Sequence, residues 1–146
     1  MTPEEEKALL LRVVIKVARL EIQQSGGLVP FGATLGSKRD VCLLRPKEVT
    51  GTVTRDKLED YWKREFGKAA AAGECRTVCC CADVRVARDQ GGSLVPALLI
   101  HIEHVEAGGE DVVYPHWKGE DSEVVLGEAT GVPVTWGVFQ VERQSG

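Results

Sequence analysis

Thr2-Pro3-Glu4-Glu5-Glu6-Lys7-Ala8-Leu9-Leu10-Leu11-Arg12-Val13-Val14-Ile15-Lys16-Val17-Ala18-Arg19-Leu20-Glu21-Ile22-Gln23-Gln24 opens the chain, and its reading decides the fold. Thr2 suits an N-cap, Pro3 the first helical position, and Glu5 the return arm of a capping box. Glu4, Glu5 and Glu6 set negative charge against the positive end of the helix dipole. Gly26 or Gly27 supplies the stop. Arg12, Lys16, Arg19 and Gln23 recur at i, i+4, i+7 and i+11, which makes one narrow polar stripe. Leu9, Leu10, Leu11, Val13, Val14, Ile15, Val17, Ala18 and Leu20 fill most of the remainder. A surface helix ordinarily buries a stripe about 100° wide or somewhat more. This one predicts burial over most of its girth, by a sheet and other elements or by a partner chain.

Working outward, residues 26–32 read as a loop carrying Pro30, and residues 31–35 as a short strand. Residues 36–39 turn the chain into a second strand over 40–49, interrupted by Pro46, so that this strand ends there or lies at an edge. Thr54 caps a second helix running to Ala72. Its apolar face is Leu58, Tyr61, Trp62, Phe66, Ala69 and Ala70, and Gly73 ends it. Strands follow over 74–87, 94–106, 111–114, 123–126 and 134–143, with residues 115–122 as a polar loop. Tight turns join antiparallel neighbours, whereas parallel ones need long crossovers. The expected fold is α+β: two helices packed on one face of a mostly antiparallel sheet of about five or six strands.

Composition bounds the function. The chain has 146 residues, which suits a single domain over 1–146 with no repeat or linker. A chain of this length buries roughly 70% of its unfolded surface, enough for a core without staples. A net charge of −4 and a pI near 5.4 argue against a nucleic-acid surface. The densest basic cluster, Lys63, Arg64 and Lys68, is offset by Glu59, Asp60 and Glu65. The acidic start is unlike a secretory signal, and the apolar runs are too short to span a bilayer, so no membrane partner is expected. Five cysteines, three of them adjacent at Cys79-Cys80-Cys81, form no orderly disulfide framework and point to a reducing cytoplasm.

Several residue sets invite chemistry. Cys75 and the Cys79–Cys81 run lie in a strand and lack the turn between ligands that a zinc knuckle needs, so they read as small buried hydrophobes, as does Cys42. Neither metal nor cofactor is expected. His101-Ile102-Glu103-His104 puts His101 and Glu103 on one strand face and His104 on the other. Its His-x-Glu opens a zinc deaminase signature, but no Pro-Cys-x-x-Cys follows. His101 and Glu103 then read as an ion pair on a solvated face. In the alternative they form, with His116, a general base oriented by a carboxylate. Tyr114-Pro115-His116-Trp117 is an aromatic loop suited either to a partner or to closing the core. Phe31 and Gly32 lie where an apolar loop enters the first strand, as a packed joint or a binding cleft. No phosphate loop or dinucleotide fingerprint is present.

Pro30-Phe31-Gly32, Ala69-Ala70-Ala71-Ala72-Gly73-Glu74, Glu103-His104 and Tyr114-Pro115 together resemble a loose group of small bacterial proteins of unassigned function. The resemblance covers about residues 5 to 116. Leu28-Val29 departs from it, since an aromatic is expected ahead of Pro30. Immunity-type proteins that neutralise toxins are similar in size and α+β make-up, an analogy at the level of fold. The resemblance supplies no catalytic residue. The expected function is a non-catalytic protein-binding module, acting on a protein partner or as a homodimer through Phe31, Gly32, Tyr114, His116 and Trp117. The alternative is a small enzyme or ligand binder using His101, Glu103 and His116.

Overall fold

The computed structural model describes residues 1–46, 55–87 and 92–139. Helix α1 (Pro3–Ser25) starts as its local chemistry dictates. Thr2 Oγ1 accepts the Glu5 amide at 3.1 Å, and the Glu5 carboxylate accepts the Thr2 amide at 3.1 Å. Gly26 ends the helix at φ 79°, a left-handed cap that favours glycine, and its amide donates to the Ile22 carbonyl. The chain continues through β1 (Phe31–Leu35), β2 (Val41–Leu44), α2 (Arg55–Ala71), β3 (Thr77–Ala87), β4 (Leu94–His104), β5 (Gly108–Lys118), β6 (Val124–Leu126) and β7 (Thr130–Pro133).

The seven strands form an antiparallel sheet in the order β2-β1-β3-β4-β5-β6, with β7 also paired to β5. The α+β class therefore holds, with one strand more than expected. β2 ends before Pro46 and forms an edge, as a residue without an amide donor requires. The expected strand residues 47–49 and the Thr54 cap lie outside the described residues.

The helices do not share a face. Leu10, Val14 and Ala18 of α1 pack with Ala33, Leu35, Cys79, Cys81, Ile100 and Ile102. Trp62 and Phe66 of α2 pack with Val78 and Cys80 instead. Adjacent strand residues point to opposite faces, so α1 and α2 lie on opposite sides of the sheet. The cause is visible in β3, where five consecutive residues, Thr77 to Cys81, are all buried. Such a run needs cover on both sides. Gly32 admits the α2 layer: a Cβ there would stand 2.7 Å from a Trp62 ring carbon.

Three further expectations change. Residues 115–118 belong to β5 rather than to a loop. Pro115 occupies the last rung with β4, and its carbonyl accepts the Gly127 amide at 2.6 Å. Of the expected last strand, residues 134–139 form no strand, although the Val134 amide still donates to the Gly109 carbonyl at 3.1 Å, and the extra strand is β7 just before them. Finally, α1 buries one stripe rather than most of its girth. Leu9, Leu11, Val13, Ile15 and Val17 are half-buried, and Leu20 is 45% exposed, because nothing among the described residues covers the outward side. Among the described residues, no helix is long and apolar enough to cross a membrane.

Candidate functional site

Alternation along β4 sends His101 and Glu103 to the α2 side and Ile100 and Ile102 to the α1 side. That α2 side is covered, not solvated: His101 and Glu103 are each only 2% exposed. His101 Nδ1 lies 2.7 Å from Asp111 Oδ1, and Nε2 lies 3.0 Å from Glu103 Oε1. The ring is thus held between two carboxylates, one at each nitrogen. Trp136 stacks on the imidazole at a centroid distance of 3.7 Å and an interplanar angle of 10°. Behind it, Glu103 Oε1 accepts the Trp136 amide at 2.7 Å and Oε2 accepts the Val138 amide at 2.8 Å. Burial pushes the Glu103 carboxyl up, but the bonds from His101, Trp136 and Val138 outweigh it and hold the group below its ordinary range. Glu103 thus ties the segment after β7 onto the sheet.

His104, next in the chain, does the same for the opposite layer. Its Nδ1 accepts the Glu106 amide at 2.9 Å and the Ala107 amide at 3.3 Å. That assigns the proton to Nε2, which donates to Glu6 of α1 at 3.0 Å. Arg76 adds two more contacts, at 3.1 Å to Glu6 and 3.2 Å to Glu106. Burial raises the Glu6 carboxyl, yet the bonds from Arg76 and His104 bring it below the ordinary value.

His116 joins neither group. It is buried and bonds Asp83 Oδ1 at 3.0 Å. It shares its face with Tyr114, which packs against the α1 core, so His116 and His101 stand on opposite sides of the sheet. Standing on opposite faces, the two rings lack the shared geometry that a joint acid–base site would need. The proposed binding residues are likewise dispersed. Phe31 is buried under α1, Gly32 faces α2, Tyr114 is half-buried, and only Trp117, 47% exposed, offers a surface.

The cysteines are all free. Burial pushes the Cys75 thiol up to about 11 and also raises Cys79, Cys80 and Cys81, so these four are unreactive at neutral pH. Cys42 is exposed on the edge strand rather than buried. Among the described residues, no group of three His, Cys, Asp or Glu side chains converges to hold a metal ion.

Sequence reading missed Asp111, Trp136 and the Glu6–His104 bond. Asp111 had a signal, because a tight hairpin after His104 sets His101 opposite Asp111. Trp136 and Glu6 meet β4 across 35 and 98 residues respectively, as the separations 136 to 101 and 104 to 6 show, and no local pattern reports that. The arrangement of ionisable groups is a pair of structural ties, one per face. Beside the first tie lies a small cavity between α2 and the sheet, lined by Trp62, Trp136, His101 and Asp111 among others. No family model matches this chain, no curated protein matches it, and no solved structure matches it.

Proposed function

We propose that the chain is a non-catalytic protein-binding module that takes an acidic protein partner on the outer face of α1. One observation carries this reading. Arg12, Lys16 and Arg19 are exposed on the side of α1 away from the sheet, and none of them has an anionic partner among the described residues. Ile15, Leu20 and Gln23 complete a shallow groove with them. Three cations along about 10 Å of helix repel one another, and a complementary acidic surface relieves that.

The chemistry of the stripe selects among partners. Two copies of α1 facing each other would set cations on cations, so a partner of different sequence fits better than a homodimer through this face. Leu20 is the one strongly exposed large apolar residue of the stripe, too little to insert into lipid. The net charge of −4 disfavours nucleic acid. Neutralising a toxin, as immunity-type proteins do, is one instance of such binding. Five free cysteines accord with a reducing cytoplasmic location.

Affinity capture from source lysate tests this, comparing the natural chain with R12E/K16E/R19E at about 50 and 300 mM salt. An acidic protein held by the natural chain at low salt, released by salt or by the triple reversal, and rebound from purified components supports the reading. Identical captured sets for both chains overturn it.

A further inference from the structure

We infer that β2 pairs with β2 of a second copy of this chain, antiparallel across a two-fold axis at Cys42, so that two sheets join edge to edge. This goes beyond the partner surface on α1 and does not depend on it. Among the described residues, β2 is hydrogen-bonded on one side only, to β1. Sheet edges are usually guarded by charge, proline or a bulge. Val41-Cys42-Leu43-Leu44 has neither charge nor proline, and its register with β1 runs without a break, whereas β7 holds Gly131 and ends at Pro133. Leu43 is 44% exposed, and Cys42 beside it is exposed too.

Which backbone groups are free follows from the hairpin. The Gly36 amide donates to the Asp40 carbonyl at 2.9 Å, which makes that pair a hydrogen-bonded rung. Bonded and unbonded pairs alternate along an antiparallel ladder, so the bonds fall at Thr34–Cys42 and Gly32–Leu44. The Leu35 carbonyl agrees: it turns away from β2 and accepts the Arg76 amide at 2.8 Å. The amides and carbonyls of Val41 and Leu43 therefore point outward, one residue on each side of Cys42. That set is self-complementary. Across a two-fold axis, Val41 of each copy exchanges both bonds with Leu43 of the other, and Cys42 meets Cys42 as the unbonded pair between them. Opposed residues share a face, so each exposed Leu43 is covered by Val41 of the other copy. A shift of two residues either way would set Leu43 against Arg39, which sits in the turn at φ 64°, or Val41 against Arg45, which Glu21 holds at 2.7 Å. Four residues per copy bury less than about 1,200 Å², so the dimer is weak and exchanges with monomer.

Unbonded antiparallel pairs stand about 4.5 Å apart at Cα, within the disulfide range of about 4.4–6.8 Å. Diamide, which takes up the two protons and two electrons, therefore links the full chain through Cys42. It does so at least about tenfold faster than it links Cys42→Ser/Asp121→Cys, whose exposed thiol meets its copy only by collision. Amide exchange reads the register. Val41 and Leu43 slow at least about threefold between about 20 µM and 1 mM chain, while Cys42 and Leu44, already bonded to β1, change less. Leu43→Lys puts a charge at the exposed edge and abolishes both effects. The exchange measurement uses the unaltered chain and so stands if a variant fails to fold. Linking no faster than the control, exchange at Val41 and Leu43 independent of concentration, or both effects persisting in Leu43→Lys each overturns the proposal. So does protection of these two amides that appears only in source lysate, which gives the edge to a different partner.

Discussion

The two faces of the sheet are built from alternate residues of the same strands, yet they differ in kind. The α1 face is oily through its middle, with Leu10, Val14, Ala18, Ala33, Ile100 and Ile102 in contact, and it keeps its ion pairs at the two ends. The α2 face places His101, Glu103 and two tryptophans near its centre, leaves two indole donors unpaired, and exposes its far end as an apolar groove. A dry helix-on-sheet layer stabilises by burial, whereas a layer with polar groups, gaps and open apolar surface gains less from it. Glu103 and His104 show the division at single-residue scale: neighbours in β4, they fasten opposite layers.

That contrast can be broken by substitution. Ile100→Ala, under α1, lowers stability by about 3 kcal/mol through lost burial and a cavity, measured by urea unfolding. Leu99→Ala, half-buried on the α2 side, costs about 1 kcal/mol by the same measurement, and equal losses would erase the difference between the faces. Glu103→Gln removes one of the acceptors that Trp136 and Val138 use, and costs about 2 kcal/mol. Faster amide exchange confined to Trp136 and Val138 identifies the tie, and unchanged exchange there refutes it. Gly32→Ala drives a methyl into Trp62 and costs about 1–2 kcal/mol. Its chemical-shift changes should centre on Trp62 and Phe66 and spare α1.

The smallest effect sharpens the comparison by pH. Glu6 on the α1 face and Glu103 on the α2 face are both held below the ordinary carboxylate range. A folded value below the unfolded one, about 4.3, means stability that is complete above that value and lost as pH falls through the folded value. The urea midpoint is therefore level near neutrality and declines on acidification below about pH 5. Glu6→Gln makes that decline shallower, leaving the share due to Glu103. A slope unchanged in Glu6→Gln would show that the α1 tie carries no linkage.

Much of this architecture was legible where its causes are local. The cap at Thr2, the stop at Gly26, the hairpin of β1 and β2 and the apolar face of α2 each follow from a few adjacent residues. The side on which each helix lies was not read correctly, although Thr77 to Cys81 carried the signal. Cysteines counted as small hydrophobes make that run apolar on both faces, and both faces then need a helix. β7 was missed because Gly131 and Pro133, both disfavoured in strands, offset Thr130 and Val132 in a run of only four residues, and its pairing with β5 makes it a strand. The roles of Glu103 and His104 were hidden because their partners are the amides of residues 136 and 138 and a carboxylate in α1.

The proposed partner surface on the outer face of α1 depends on the two helices lying on opposite sides of the sheet, so their separation is the point to measure. Spin labels at Lys16→Cys and Asp60→Cys, in a chain also carrying Cys42→Ser, report it by pulsed electron resonance. With two helix layers of about 10 Å each and a sheet between them, the labels should lie more than about 25 Å apart. A distance near 15 Å or less, as for helices packed side by side with axes about 8–10 Å apart, would contradict it.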